Sequence, residues 1–203
     1  MNQIIFIHGG ETFDTTQQYY DFLDAKKYDP FAQIEKRWRY TIEEQCDEFE
    51  CIAPAMPAKQ NADYIAWSIW FEKILPYLNN EKTILIGSSL GGIFLVKYLS
   101  ENGFPKNIHQ LHLVWAVFDE SGLIWEWVGN FKIQNTAQLS HIPKLTEKIF
   151  LYHSKDDFVV PYEHVLRYLE YFPQAILSSF EDRNHFLQAD FPELIENIKN
   201  NIS

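Results

Sequence analysis

The sequence predicts an α/β protein in which six parallel strands form one sheet, with helices on both faces. Three observations lead there. Short apolar runs alternate with longer amphipathic ones along the 203 residues, the pattern of strands joined by crossover helices. Two unusual turns, His8-Gly9-Gly10 and Gly87-Ser88-Ser89-Leu90-Gly91-Gly92, each stand at the end of a short apolar run. No Pro/Gly/Ser-rich linker, internal repeat or low-complexity tract interrupts the chain. Residues 1–203 are therefore expected to fold as a single domain.

In chain order, the first strand is Ile4 to Ile7. A helix is expected from near Thr15, because Thr15 and Gln18 have capping-box spacing, and it carries Tyr19, Phe22 and Leu23. A second helical stretch, Phe31 to Tyr40, follows Pro30. The second strand, Phe49 to Ala53, stops before Pro54. Ala62 to Leu78 reads as a helix with an aromatic face of Trp67, Trp70 and Phe71, kinked or ended by Pro76. Thr83 to Ile86 is a buried strand. Leu90 to Ser100 is a helix closed by Asn102-Gly103, with Pro105 beyond. Leu111 to Val117 is a strand, and residues 118–145 are irregular and aromatic-rich. The chain then runs through a strand at Ile149 to His153, a helix at Tyr162 to Tyr171, a strand at Ala175 to Phe180 and a closing helix at Pro192 to Ile202. Right-handed crossovers give the strand order 2-1-3-4-5-6, with a switch point between strands 1 and 3 where ligands bind.

Composition excludes several function classes. The formal net charge is −11, so a phosphate backbone or an anionic membrane surface would be repelled. No run approaches the ~18 apolar residues that a membrane span needs. The N-terminus has no basic region and only a short apolar run, unlike a signal peptide, so a cytoplasmic protein is expected. Cys46 and Cys51 are expected to be free thiols. The histidines show no metal-ligand spacing, and neither metal nor other cofactor is expected.

Gly87-Ser88-Ser89-Leu90-Gly91 has the form G-x-S-x-G, with a strand before it and a helix after it. That context suits a nucleophile elbow, where a serine in a strained conformation sits on a sharp strand-to-helix turn. Residues two before and two after the serine must be small, because strand and helix nearly collide there. Only Ser89 has glycine at both distances; Ser88 does not. A packing turn or a phosphate cradle would share the glycines, but no Gly-Lys-Ser/Thr follows.

A serine hydroxyl needs a base to become a useful nucleophile, and the base needs a carboxylate to orient it. In this architecture they follow in the order Ser, acid, His. Strand 5 runs into His153-Ser154-Lys155-Asp156-Asp157, which puts two aspartates at the carboxyl edge of the sheet. His185 is the only histidine after the last strand.

Taken together, these segments resemble the α/β-hydrolase superfamily, and within it the small serine hydrolases of the retinoblastoma-binding-protein-9 type. The likeness rests on Ile4 to Gly10, Met56-Pro57, Thr83 to Gly92, Asp156 to Pro161 and His185-Phe186. It implies a minimal α/β-hydrolase fold and a triad of Ser89, Asp157 and His185, since the family's acid lies four residues before the proline, here Pro161. Asn184 replaces the glycine often found before the base. The resemblance also implies an oxyanion hole made by the backbone N–H groups of Leu90 and Gly10. Glu11, beside that loop, is expected to face solvent or cap the next helix, and His8 is expected to be structural.

Trp115, Phe118 and Trp125 are the candidate substrate-binding residues, on a segment that follows the fourth strand beside the nucleophile strand. Residues 118–145 read either as a short lid over the serine or as core packing. The expected activity is hydrolysis of a small-molecule ester, or a thioester or amide, through an acyl-enzyme. A catalytically weak module that binds a protein partner and an acyltransferase are the alternatives.

Overall fold

A computed structural model describes residues 1–31, 37–123 and 128–202. Six parallel strands, β1 (Gln3–Ile7), β2 (Glu50–Ile52), β3 (Thr83–Ser88), β4 (Ile108–Val114), β5 (Thr146–Ser154) and β6 (Ile176–Phe180), lie in the order β2-β1-β3-β4-β5-β6. The register pairs Ile7 with Gly87 and Ser88 with Val114, so the turns after β1, β3 and β4 emerge at one edge of the sheet. Among the described residues the α-helices are α1 (Thr16–Ala25), α2 (Ile42–Gln45), α3 (Tyr64–Glu72), α4 (Leu90–Asn102), α5 (Ile142–Leu145), α6 (Glu163–Tyr171) and α7 (Pro192–Asn200).

Alternation along the strands builds two apolar layers. Ile5, Ile7, Leu85, Leu111, Leu113 and Leu151 face α3, α4 and α6. Ile4, Phe6, Ile84, Ile86, Val114 and Phe150 face Trp38, Ile42 of α2, and Leu194 and Ile198 of α7. Central strands covered on both faces are what continuous apolar runs such as Ile4–Ile7 encode. A chain of buried hydrogen bonds ties α7 down. Asn197 Nδ2 donates to Tyr152 Oη (3.0 Å), the Tyr152 hydroxyl donates to His112 Nδ1 (3.0 Å), and His112 Nε2 donates to Gln110 Oε1 (2.8 Å). Gln110 Nε2 then donates to the Ile198 carbonyl at 3.2 Å. One tautomer of His112 satisfies every link.

Element boundaries differ from the sequence reading where tertiary contacts intervene. The capping box of Thr15 and Gln18 is present at the start of α1. The helix expected over Ala62 to Leu78 is split: α3 ends at Glu72, and Leu75–Tyr77 forms a 3-10 turn holding Pro76. Trp67 and Phe71, four apart, are buried, whereas Trp70 points outward and is 43% exposed. β4 ends at Val114, not Val117, because Trp115 adopts φ 39° and turns the chain. Of the helix expected over Phe31 to Tyr40, residues 32–36 lie outside the described residues, and Trp38–Tyr40 is a 3-10 turn. Trp38 is buried there against Phe6, Trp115 and Phe191, a demand that local helix propensity does not anticipate. In the segment 118–145, Phe118, Val128, Phe131, Leu139 and Ile142 pack into the main core, and residues 124–127 lie outside the described residues.

Cys46 and Cys51 are free thiols. Burial pushes the first up to about 12 and the second to about 11, so both stay protonated at neutral pH.

Candidate active site

Ser89 stands between β3 and α4 with φ 51° and ψ −121°, a conformation rare for any residue but glycine. Its N–H donates to the Val114 carbonyl at 3.0 Å, which pins the turn to β4. The flanking glycines are required by contact. A Cβ on Gly91 would lie 2.3 Å from the Ile7 carbonyl oxygen, and one on Gly87 would lie 2.6 Å from the Gly91 carbonyl oxygen. Helix and strand thus approach as closely as the G-x-S-x-G spacing implies.

Two amides accompany the serine. The Leu90 and Gly10 N–H groups have no protein acceptor among the described residues. Gly10 borders the same cavity as Ser89, and Gly9 packs so closely that a Cβ there would lie 3.1 Å from Ser89 Cβ. His8 shapes this loop. Its Nε2 accepts the Met56 N–H at 3.0 Å, which leaves Nδ1 protonated to donate to the Gly9 carbonyl at 2.6 Å. Burial, foremost, keeps the His8 pKa below the ordinary histidine value. Glu11 is partly exposed to solvent, as expected, and pairs with Lys26, the residue that closes α1, at 3.4 Å.

The Asp157 side chain is fully buried, and both its oxygens meet His185 Nδ1, at 3.1 and 3.0 Å. Oδ1 also accepts the backbone N–H groups of Val159 (2.8 Å) and Val160 (3.0 Å), which fixes the carboxylate against rotation. Asp156 has a separate task. Its Oδ1 accepts from Ser154 Oγ and from the Asn184 N–H at 2.9 Å, while Ser154 Oγ accepts the Arg183 N–H at 3.0 Å. The loop bearing His185 is thereby fastened to the end of β5, and Asn184 and Phe186 on either side of the histidine both take positive φ, 47° and 48°.

Ser89, His185 and Trp115 border one cavity of about 720 Å³ at the carboxyl edge of the sheet. Among the described residues His185 bonds Asp157 through Nδ1, and no hydrogen bond joins its Nε2 to Ser89 Oγ. Trp115 lies 5.2 Å from the His185 ring and 4.7 Å from Phe186, ring centre to ring centre. Phe118 does not join them. It stacks on Tyr171 and meets Tyr168 edge-on, 4.9 Å away, because the positive-φ turn at Trp115 directs the following residues toward α6. Trp125 lies outside the described residues. The cavity wall also holds residues that sequence reasoning did not single out, Arg37, Arg39 and Lys59. No motif marks them; their neighbours Trp38 and Met56, buried apolar side chains, bring them there.

The other histidines with partners bond elsewhere in the fold, except that His153 Nε2 also stands 3.9 Å from Asp157 Oδ2. His109 binds Glu147 and the Asn201 carbonyl, His153 the Val160 carbonyl, and His164 the Phe118 N–H and the Ser121 carbonyl. Among the described residues no group of three or more His, Cys, Asp or Glu is placed to hold a metal ion. No helix among them is long and apolar enough to cross a membrane.

The rat serine hydrolase RBBP9 is 30% identical to this chain over 156 residues, which cover 77% of the chain and 80% of the rat protein. The chain belongs to the RBBP9-type serine hydrolases. No family model matches it. Among solved structures, the ydeN gene product of Bacillus subtilis superposes with a TM-score of 0.75 at 16% identity, covering 99% of this chain and 98% of the other. A YdeN-like hydrolase from Pectobacterium atrosepticum gives 0.60 at 12% identity, covering 100% and 93%. An esterase from Exiguobacterium antarcticum gives 0.60 at 14%, covering 100% and 92%. At these identities the structural likeness shows the α/β-hydrolase fold, and the RBBP9 relationship shows the family.

Proposed function

We propose that this serine hydrolase cleaves small carboxylic esters, or thioesters or amides, through an acyl-enzyme on Ser89. The observation that carries the reading is the two-oxygen grip of buried Asp157 on Nδ1 of His185, a residue that borders the same cavity as the strained Ser89. That grip leaves Nε2 as the free, basic nitrogen of the ring.

His185 Nε2 takes the Ser89 proton as Oγ attacks the substrate carbonyl carbon. Asp157 holds the imidazole in place and stabilises the imidazolium that results. The Leu90 and Gly10 N–H groups receive the tetrahedral oxyanion, a contribution of about 3 kcal/mol per donor in related chemistry. The imidazolium then gives its proton to the leaving alcohol, thiol or amine, and the acyl group remains on Ser89. Water, deprotonated by His185, attacks the acyl-enzyme and releases the acid. The Ser89–His185 hydrogen bond forms in the substrate complex, as catalytic bonds in empty sites often do.

A fluorophosphonate probe tests the assignment. Wild type labels, and Ser89→Ala and His185→Ala do not. Labelling that persists in Ser89→Ala would remove Ser89 from the nucleophile position. Absence of both labelling and p-nitrophenyl ester turnover in the wild type would favour a non-catalytic binding protein.

A further inference from the structure

The chain as a whole is strongly acidic, with a formal net charge of −11, but the wall of the Ser89 cavity is not. Arg37, Arg39 and Lys59 all border it. None of the three has an ion-pair partner among the described residues; Arg39 donates to the Tyr40 hydroxyl at 3.3 Å and lies over its ring. Among the described residues Glu11 is the carboxylate that borders the cavity, and it pairs with Lys26 at 3.4 Å. Glu43 borders an adjoining recess with Arg39 but makes no ion pair with it.

The backbone that carries these cations is held in place. Trp38, between the two arginines, is buried against Phe6, Trp115 and Phe191, and its backbone N–H donates to the Gln188 carbonyl at 3.1 Å, just past His185. Arg37 and Arg39 are each half-buried as a result. Lys59 sits on the loop whose carbonyl accepts the Glu11 N–H at 2.8 Å, next to the Gly10 amide. Two elements from different parts of the chain thus bring unpaired positive charge to one cavity. An arginine pair without a carboxylate is suited to an oxyanion ligand, which each guanidinium can meet with two parallel N–H donors. The hydrogen bond from Arg39, foremost, holds the Tyr40 pKa below its ordinary value against the opposing effect of burial, and the charges of Arg39, Lys59 and Arg37 act in the same sense as the bond.

We infer that the substrate of this site is an anionic ester, whose carboxylate or phosphate group is held by Arg37, Arg39 and Lys59 while its ester carbonyl meets Ser89. The inference rests on the hydrolase reading above and names the substrate class for it.

Matched substrates test it. On the acyl side the pair is the mono-p-nitrophenyl ester of succinate and its neutral counterpart, p-nitrophenyl pentanoate. On the leaving-group side the pair is 4-carboxyphenyl butyrate and phenyl butyrate. The anionic member of one pair is expected to have a kcat/KM about 10-fold or more above its neutral partner, mainly through KM, with the advantage shrinking in 0.5 M salt. Which pair shows it tells which side of the scissile bond faces the arginines. Arg37→Ala and Arg39→Ala should each cut the anionic-to-neutral ratio about 10-fold, and Arg39→Lys should restore part of it. A second arm needs no turnover: binding of glutarate and of inorganic phosphate to Ser89→Ala protein, read by calorimetry, against dimethyl glutarate as the neutral control. Binding of an anion that is lost in the Arg37→Ala/Arg39→Ala background supports the inference even if Ser89 is not the nucleophile. Equal kcat/KM for both members of both pairs, or an equal loss on anionic and neutral esters in the arginine variants, overturns it and leaves the hydrolase assignment standing.

Discussion

Both carboxylate oxygens of Asp157 meet Nδ1 of His185, at 3.1 and 3.0 Å, although 28 residues separate them and only the Asp157 side chain is fully buried. The carboxylate is also anchored by two backbone N–H groups, so it presents a fixed charge to the imidazole. Asp157→Asn preserves the shape but removes the charge and favours the wrong tautomer. The expected result is a kcat lowered by about 10³–10⁴ with little change in KM, measured on a p-nitrophenyl ester. A loss below 10-fold would show that Asp157 does not serve the base.

The elbow gives a prediction in which stability and activity part company. Ser89→Gly should abolish turnover yet remove strain at φ 51°, and it should raise unfolding stability by about 1 kcal/mol in urea titrations. Gly91→Ala, whose Cβ would lie 2.3 Å from the Ile7 carbonyl oxygen, should lower stability by about 2–3 kcal/mol. If Gly91→Ala were as stable as wild type, the close approach of α4 to β1 would be wrong.

Asp156 bonds the loop that carries His185 through Asn184 and Ser154, and we propose that it acts as a positioning residue. Asp156→Ala should lower kcat by about 10-fold and slow fluorophosphonate labelling without abolishing it, with KM nearly constant. Asp156→Asn, which keeps an acceptor oxygen, should recover part of the rate. An Asp156→Ala enzyme as inert as Asp157→Asn would mean that the two aspartates have been assigned the wrong way round.

Acid should destabilise the fold well before the carboxylates titrate. Burial lowers the pKa of His112 from 6.5 to about 3, and burial is also the leading cause of the lowered values of His8, His153 and His164. These groups stay neutral in the folded chain while the unfolded chain binds protons below pH 6.5. The stability they contribute is complete above 6.5 and is lost as the pH falls toward the folded values. For His112 alone the loss is about 1.4 kcal/mol per pH unit. Urea midpoints measured between pH 7.5 and 5 should fall accordingly, and His112→Gln should reduce the slope. A midpoint that is flat or rises over that range would contradict the burial of these imidazoles.

Much of this protein is written in local patterns. Apolar runs four to six residues long mark the central strands, since a strand covered on both faces has no polar side to show. The two glycine turns mark the edge where the site lies, because only glycine permits the contacts at Gly87 and Gly91. The order of the serine, the aspartate pair and the last histidine follows from the order of the strands. The sequence by itself therefore determined the sheet, its strand order and the loops that meet at Ser89. Tertiary structure decided what depends on contacts between distant segments. It separated Asp156, which bonds the Asn184 N–H and Ser154, from Asp157, which meets the His185 imidazole. It buried Phe118 against α6 and left Trp115 beside His185. It also carried Arg37 and Arg39 to the cavity on the buried Trp38, a placement with no local signal, because burial of a tryptophan against three distant aromatic rings is a property of the packed chain and not of any short stretch of it.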